Sequence, residues 1–292
     1  MKTFSQTQRN YIAEGKNQDD LLRNFIGRQL GIIPTKVMSK RHTLVSGPPG
    51  IGKSYSTMEV IKNSKVNYIQ VGAGTSDSAL ALKLAYGVNQ LNSGAELVVL
   101  LDDADDVIFR DYETINKWKF ALAKDEPFYA QEVNLISARQ QYEKAGRQDL
   151  VDAIDAFTVP GSVGIHIPTD QVRFFIICNR NCEDQKSFGS RSAKIWSGVE
   201  AIVDRVKYNR LEFEWKVAWG WLAHILENSQ PFEEEFDVSL TDEQKAELAG
   251  WMWDKWEIMR NTSYRTIEEM AEYMVNNPDG YEDEWQKFLK KR

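Results

Sequence analysis

The sequence is poor in the residues that hold transition metals. It has two cysteines, Cys178 and Cys182, and three histidines, His42, His166 and His224, in 292 residues. A lone cysteine pair with scattered histidines is a poor zinc site. Cys178 lies in an apolar run and reads as a small buried residue. A disulfide between the two is not expected in a reducing compartment. No apolar run is long enough to cross a bilayer, which argues against a membrane partner. The opening MKTFSQTQRN lacks the charged-then-apolar pattern of a secretory signal, so the expected location is the cytoplasm. Internal repeats and low-complexity tracts are absent, and so are zinc-finger and helix-turn-helix readers of DNA.

The length suits one large domain plus a small one. With 27% charged and 42% hydrophobic residues, the composition is that of an ordinary globular chain. The charge is uneven. Residues 211–292 hold 19 acids and 9 bases, a net of −10, whereas residues 1–210 carry a net of +3. Seven of the nine tryptophans also lie beyond 210. This shift predicts a boundary there, between a core of residues 1–210 and a C-terminal domain of 211–292. The acidic C-terminal part is an unfavourable surface for nucleic acid.

The pattern alternates strand and helix. Thr43–Ser46 is a short apolar strand, and a helix runs from Lys53 to about Asn63. Val66–Val71 is a second strand, and Ser78–Leu91 follows at helical spacing. Leu97–Leu101 (LVVLL) and Val172–Cys178 (VRFFIIC) are apolar strands of the buried parallel type. Such alternation predicts an α/β fold with a parallel sheet covered on both faces. About seventy residues separate the last two strands, which is long for a connection. Helices at Val133–Ala145 and Asp149–Phe157 occupy part of it, and the turn residues of VPGSVGIHIPTDQ predict a short hairpin. The stretch of about 120–170 reads as an insertion. Beyond 210 the spacing is helical: Glu212–Glu227, a helix opened by the capping box Thr241-Asp242-Glu243-Gln244, Thr266–Val275, and a tail helix in 281–292. Aromatic residues at helical spacing predict a bundle core rather than a base-stacking surface.

The most specific signal is Gly47-Pro48-Pro49-Gly50-Ile51-Gly52-Lys53-Ser54 followed by Tyr55. It fits G-x-x-x-x-G-K-[ST] and lies between a strand and a helix, the context a phosphate-binding loop needs. Glycines let backbone N–H groups curl around phosphate oxygens, and the helix N-terminus adds its positive dipole end. Lys53 is expected to reach the β- and γ-phosphates of ATP, and Ser54 to ligate Mg²⁺. The LVVLL strand then ends in Asp102-Asp103. Asp102 is placed to hold Mg²⁺ and Asp103 to polarise an attacking water; Asp105, Asp106 and Asp111 also allow a plain solvated acidic loop.

GPPGIGKS followed by VVLLDDADDV resembles the Walker A and Walker B pair of AAA+ ATPases. That resemblance implies a P-loop NTPase core with a C-terminal helical lid, ATP and Mg²⁺ as ligands, and self-association into a ring such as a hexamer. The family's second acid is Glu; Asp103 is one methylene shorter, which implies slow hydrolysis or a different approach angle. The resemblance further implies that Asn179, at the end of VRFFIIC, is the sensor-1 residue. In AIVDRVKYNRLEF it makes Arg205 the arginine finger, with Arg191 and Arg210 as competitors. In Ser263-Tyr264-Arg265-Thr266 it makes Arg265 the sensor-2 residue opening a lid helix. DDADDV, the insertion, the IPTD–VRFF approach and the SYRT helix are most similar to AAA+ ATPases of bacteriophages, which implies a host cytoplasm.

Three roles for the ATP arise. A motor or loader for phage replication or recombination would act on DNA or a DNA-processing protein, with Lys117, Trp118, Lys119 and Lys124 facing a strand; the same residues also fit an ordinary amphipathic helix. A protein-remodelling ATPase or switch fits the acidic C-terminal part, although GAGTSDS after VNYIQV lacks an aromatic gripping pair. A small-molecule kinase is disfavoured by Arg205 and the helical lid.

Overall fold

The computed structural model describes residues 4–35, 40–92, 94–161, 164–189, 193–228 and 239–290. It divides into two compact units, each considered separately.

One unit comprises Ile26–Gly47 and Met58–Leu211. Its centre is a five-stranded sheet of β1 (His42–Ser46), β2 (Asn67–Val71), β3 (Leu97–Leu101), β6 (Val172–Cys178) and β7 (Val206–Arg210), in the order β2-β3-β6-β1-β7. Every neighbouring pair is parallel. β1 and β3 are buried along their full length, as continuous apolar runs in a two-sided parallel sheet must be. β2 is an edge strand, with only Val71 fully buried. β7 is the strand not anticipated from the sequence: Val-Lys-Tyr-Asn-Arg has too few apolar residues to signal a strand, and pairing with β1 decides it. The helices of this unit include α3 (Asp77–Asn89), α4 (Asp105–Ile108), α5 (Tyr112–Ala121), α6 (Leu135–Lys144), α7 (Gln148–Phe157) and α8 (Ala193–Arg205). One core joins the sheet to α3, α5, α7 and α8 through Leu84, Trp118, Ala153, Phe174 and Val199.

Among the described residues, the segment VPGSVGIHIPTDQ closes back only through an isolated antiparallel bridge, Thr158 opposite Ile165, rather than a full hairpin. Its strand β5 (Gly164–Pro168) pairs antiparallel with β4 (Phe128–Glu132), with Tyr129 opposite Ile167. Burial accompanies this pairing: Tyr129, Ile165 and Ile167 are all within 1% of full burial.

A buried histidine ties β1 to β6. Nδ1 of His42 accepts the Phe174 N–H at 3.2 Å. Burial, reinforced by Arg41 and Arg173, lowers its pKa to about 3. The unfolded chain therefore binds a proton below about pH 6.5 that the folded chain refuses until about pH 3. Stability is expected to fall through that window by about 1.4 kcal/mol per pH unit from this group alone. Denaturant unfolding at several pH values checks it; His42→Asn, which keeps an acceptor but does not titrate, should flatten the slope.

The other unit comprises the described residues of Met1–Phe25, Pro48–Thr57 and Glu212–Arg292. The charge shift at 210 suggested a boundary in sequence; in space, the start of the chain and the phosphate-loop segment cluster with the C-terminal helices. Within this unit, α1 (Gln6–Gln29, as far as Phe25) crosses α9 (Trp215–Asn228) at two glycines. A Cβ on Gly220 would lie 1.9 Å from the Tyr11 carbonyl oxygen, and one on Gly15 2.2 Å from the Trp221 nitrogen. Only glycine lets the two backbones approach so closely.

α10 (Asp242–Lys255), α11 (Tyr264–Asn276) and α12 (Tyr281–Trp285) complete the described bundle. The capping box of Thr241 and Gln244 is formed. Trp219, Trp221 and Trp285 are buried in the bundle, as the spacing suggested, while Trp215, Trp251, Trp253 and Trp256 are half-buried; Trp219 donates to the Ala249 carbonyl at 2.8 Å and Trp285 to that of Met270 at 2.9 Å. Those two donor rings thereby bury their area without orphaning their N–H groups.

Candidate functional site

The chain leaves the carboxyl end of β1 at Ser46 and Gly47. The Ser46 hydroxyl is 2.6 Å from the Tyr208 hydroxyl, and its carbonyl accepts the Leu211 N–H at 2.7 Å. The loop that follows turns through two left-handed glycines, Gly50 at φ 76° and Gly52 at φ 87°. Helix α2 (Lys53–Lys62) then begins at the lysine of the motif. Lys53 is 5% exposed, and its ammonium donates to the Pro48 carbonyl at 2.7 Å, folding the side chain back along the loop. Ile51 is buried, and Ser54 and Tyr55 are half-buried in the helix's first turn.

Two contacts hold this segment in place, and neither was foreseen. Ser56 donates to Asp19 Oδ1 at 2.5 Å, and Arg23 pairs with the other carboxylate oxygen at 2.5 Å. Asp19 is 2% exposed, so this is a buried charge paired on both oxygens. In sequence Asp19 is one of three acids in α1, and no spacing links it to a serine 37 positions on. The second contact comes from α11. Ser263 caps that helix, and Tyr264 donates its N–H to the Gly50 carbonyl at 3.0 Å. A Cβ on Gly50 would meet that of Ser263 at 2.0 Å. Tyr55 and Tyr264 lie 5.8 Å apart, ring to ring. Arg265, in the first turn of α11, is exposed. The start of the SYRT helix is therefore at the loop itself.

Separately, the carboxyl ends of β3 and β6 gather Asp102, Asp103 and Asn179. Asp102 donates its N–H to the Val71 carbonyl at 3.0 Å, and its carboxylate accepts the Asp103 N–H at 3.1 Å. Asp103 takes a left-handed conformation, φ 50°, which is uncommon outside glycine, asparagine and aspartate. Its carboxylate accepts the Asn179 side-chain N–H at 3.0 Å. Asp105 clamps the two strand ends: its two oxygens accept the backbone N–H groups of Asn179 at 2.9 Å and Arg180 at 3.1 Å. Arg180 also faces Asp105 at 3.5 Å and Asp106 at 3.6 Å. The acid that sequence reading could assign only to loop solvation is thus the structural pin of the site.

Arg205 closes α8. Its guanidinium donates to the Ala201 carbonyl at 2.6 Å, where a cation complements the negative end of a helix. Arg210 lies 3.7 Å from Glu183, and Arg191 falls outside the described residues. The basic–aromatic face suggested for α5 is not free. Trp118 is buried and donates to the Val107 carbonyl at 2.9 Å. Lys117 pairs with Asp77 at 3.1 Å and with Gln131. Burial pushes the Asp77 carboxyl up, but hydrogen bonds from Arg110 and Lys117 outweigh it and hold the group below the usual carboxylate range. Lys119 reaches Asn116, and Lys124 is exposed.

These elements fit ATP with Mg²⁺ on chemical grounds. The loop offers left-handed glycines, a helix N-terminus and a buried lysine to phosphates. Ser54 and Asp102 are the hard oxygen donors that Mg²⁺ prefers. Among the described residues, no group of three or more His, Cys, Asp or Glu could hold a metal by itself. A cation taking one or two protein ligands and the rest from phosphate and water is the form Mg²⁺ takes with nucleotides.

The parallel sheet with a phosphate loop at the end of its interior strand β1, together with the C-terminal helices, defines an α/β P-loop NTPase with a helical C-terminal part. Residues 43–119 match the family model described as ATPase family associated with various cellular activities (AAA), a similarity confined to that segment. No curated protein matches the chain. Among the described residues, no helix is long and apolar enough to cross a membrane.

Proposed function

We propose that the chain binds ATP with Mg²⁺ and hydrolyses it as a phage-type AAA+ ATPase, in a ring whose subunits complete one another's sites. The observation that carries the hydrolytic reading is the Asp103–Asn179 hydrogen bond at the carboxyl edge of the sheet. Lys53 neutralises β- and γ-phosphate charge, while Ser54 and Asp102 hold the cation. Bound Mg²⁺ supplies charge neutralisation at the transferring phosphoryl group. Asp103 orients the attacking water and accepts its proton; Asn179 fixes the angle of that carboxylate and offers its amide toward the γ-phosphate. Arg205 supplies a fixed positive fork to the neighbouring subunit's site, and Arg265 closes onto the phosphates from the lid.

Turnover drives nucleic-acid processing in this reading, supported by the AAA resemblance and by Lys119 and Lys124. A second reading, a remodelling ATPase or switch acting on a protein partner, gains from the structure: burial of Trp118 and pairing of Lys117 remove the aromatic and one of the lysines from any strand-facing surface.

Steady-state hydrolysis against protein concentration, with and without single- and double-stranded DNA, tests both. A rate per chain that climbs with concentration and with DNA is the expected result. Indifference to DNA moves the target to a protein, and indifference to concentration removes the trans-acting arginine. Arg205→Ala is expected to retain nucleotide binding while hydrolysis falls by about 10³-fold or more. A normal rate in that variant would sink the finger assignment.

A further inference from the structure

Cys178 and Cys182 are reduced thiols, and both are buried. Their sulfurs lie 3.9 Å apart across the turn Asn179-Arg180-Asn181. Both S–H groups share one acceptor: the Arg180 carbonyl oxygen is 3.5 Å from Cys178 Sγ and 3.8 Å from Cys182 Sγ. The pair thus closes the turn from its two ends. The hydrolytic mechanism uses neither sulfur.

The turn itself carries a residue of that mechanism. Asn179 follows Cys178 directly and gives its side-chain N–H to Asp103 at 3.0 Å. At the other end, the Cys182 N–H donates to the Tyr208 hydroxyl at 3.3 Å, and that hydroxyl is 2.6 Å from the one of Ser46, the last residue of β1. Cys182 also lines a cavity of about 600 Å³, which opens to solvent beside the exposed Glu200 and Lys207. A small uncharged oxidant has a path to this sulfur, and the second sulfur stands directly behind it.

We infer that Cys178 and Cys182 form a reversible oxidation site that controls hydrolysis, an inference that rests on the hydrolytic role given to Asn179 and Asp103. A peroxide is the oxidant. The Cys182 sulfur attacks the O–O bond; one oxygen leaves as water and the other stays on sulfur as a sulfenic acid. The Cys178 sulfur then displaces that hydroxyl, which leaves as a second water with the Cys178 thiol proton, and the S–S bond closes. Two thiols and one hydrogen peroxide give one disulfide and two waters, the sulfurs being oxidised and the peroxide reduced. A dithiol reductant reverses the step by exchange. Closure draws the sulfurs from 3.9 Å to about 2.05 Å and removes both S–H donors from the Arg180 carbonyl. The turn tightens, and Asn179, bonded to the moving residue, leaves its place against Asp103. Such a pair stays reduced in a reducing compartment and closes only under oxidant, as transient sensing disulfides do.

The test uses the full chain and hydrogen peroxide. Intact mass and a thiol count under denaturing conditions follow the chemistry; phosphate release and calorimetric ATP titration follow the site. The expected product is a monomer lighter by both thiol hydrogens, with no titratable thiol. Hydrolysis should fall about tenfold, the value of one buried hydrogen bond, while ATP affinity holds and dithiothreitol restores the rate. Cys182→Ser keeps a donor for the Arg180 carbonyl but cannot form the bond, so its rate should be the same before and after peroxide. Cys182→Ala is the second variant if the serine perturbs folding, with the same indifference expected. Thiols that both remain titratable, or a Cys182 carried to sulfinic acid without a disulfide, overturn the site. A disulfide that leaves hydrolysis unchanged, or a peroxide loss that persists in Cys182→Ser, overturns the control. A reduced wild-type chain that does not hydrolyse ATP overturns the hydrolytic reading instead, and the mass and thiol count still decide the oxidation site.

Discussion

Lys53→Ala is expected to lower ATP affinity by at least 100-fold and to abolish hydrolysis. The ammonium makes charge-assisted hydrogen bonds, each worth about 1.5–3 kcal/mol in a water-poor setting. Lys53 is already 5% exposed and folded against the loop through the Pro48 carbonyl, so its charge is held close to where phosphates are proposed to sit. Calorimetric titration with ATP and a phosphate-release assay read the two effects. The fold should survive, because the ammonium's hydrogen bond to the Pro48 carbonyl lies within its own loop. Affinity within threefold of wild type would remove the loop from nucleotide binding altogether.

Asp105→Ala is expected to have the second-largest effect, on stability and activity together. The carboxylate accepts two backbone N–H groups, from Asn179 and Arg180, and faces the Arg180 guanidinium. Removing it orphans two donors where β6 ends and leaves Arg180 with the exposed Asp106 and the Phe188 ring. Hydrogen bonds to a charged group contribute about 1.5–3 kcal/mol each, so a loss of roughly 3–5 kcal/mol is expected by denaturant unfolding. Hydrolysis should drop further than ATP affinity, since Asn179 would no longer be held against Asp103 while the loop is untouched. Asp105→Asn retains one acceptor oxygen and should recover part of the stability. If Asp105→Ala is as stable as wild type, the pinning role is wrong.

The phosphate loop, the apolar strands that flank it and the acidic end of β3 were legible because each is a local pattern. A glycine-rich turn between strand and helix must place its N–H groups inward, and a run such as LVVLL must be buried on both faces. The C-terminal helices were legible for the same reason: the Thr241 capping box and the Ser263 cap are decided within four residues. The sequence alone therefore determined an α/β nucleotide-binding fold with a helical C-terminal part, together with the identities of its loop lysine and strand-end acids.

What only the tertiary structure decided are pairings between distant positions. β7 became a strand because β1 lacked a neighbour on that side, and β5 turned to β4, a pairing accompanied by burial of Tyr129 and Ile167. Asp19 found Ser56, and Asp105 found the end of β6. Each looks ordinary in its own stretch of chain: one acid in a long helix, one in an acidic loop. Their roles are set by which backbone groups and side chains packing brings within about 3 Å, the range over which a hydrogen bond acts, and spacing along the chain does not carry that information.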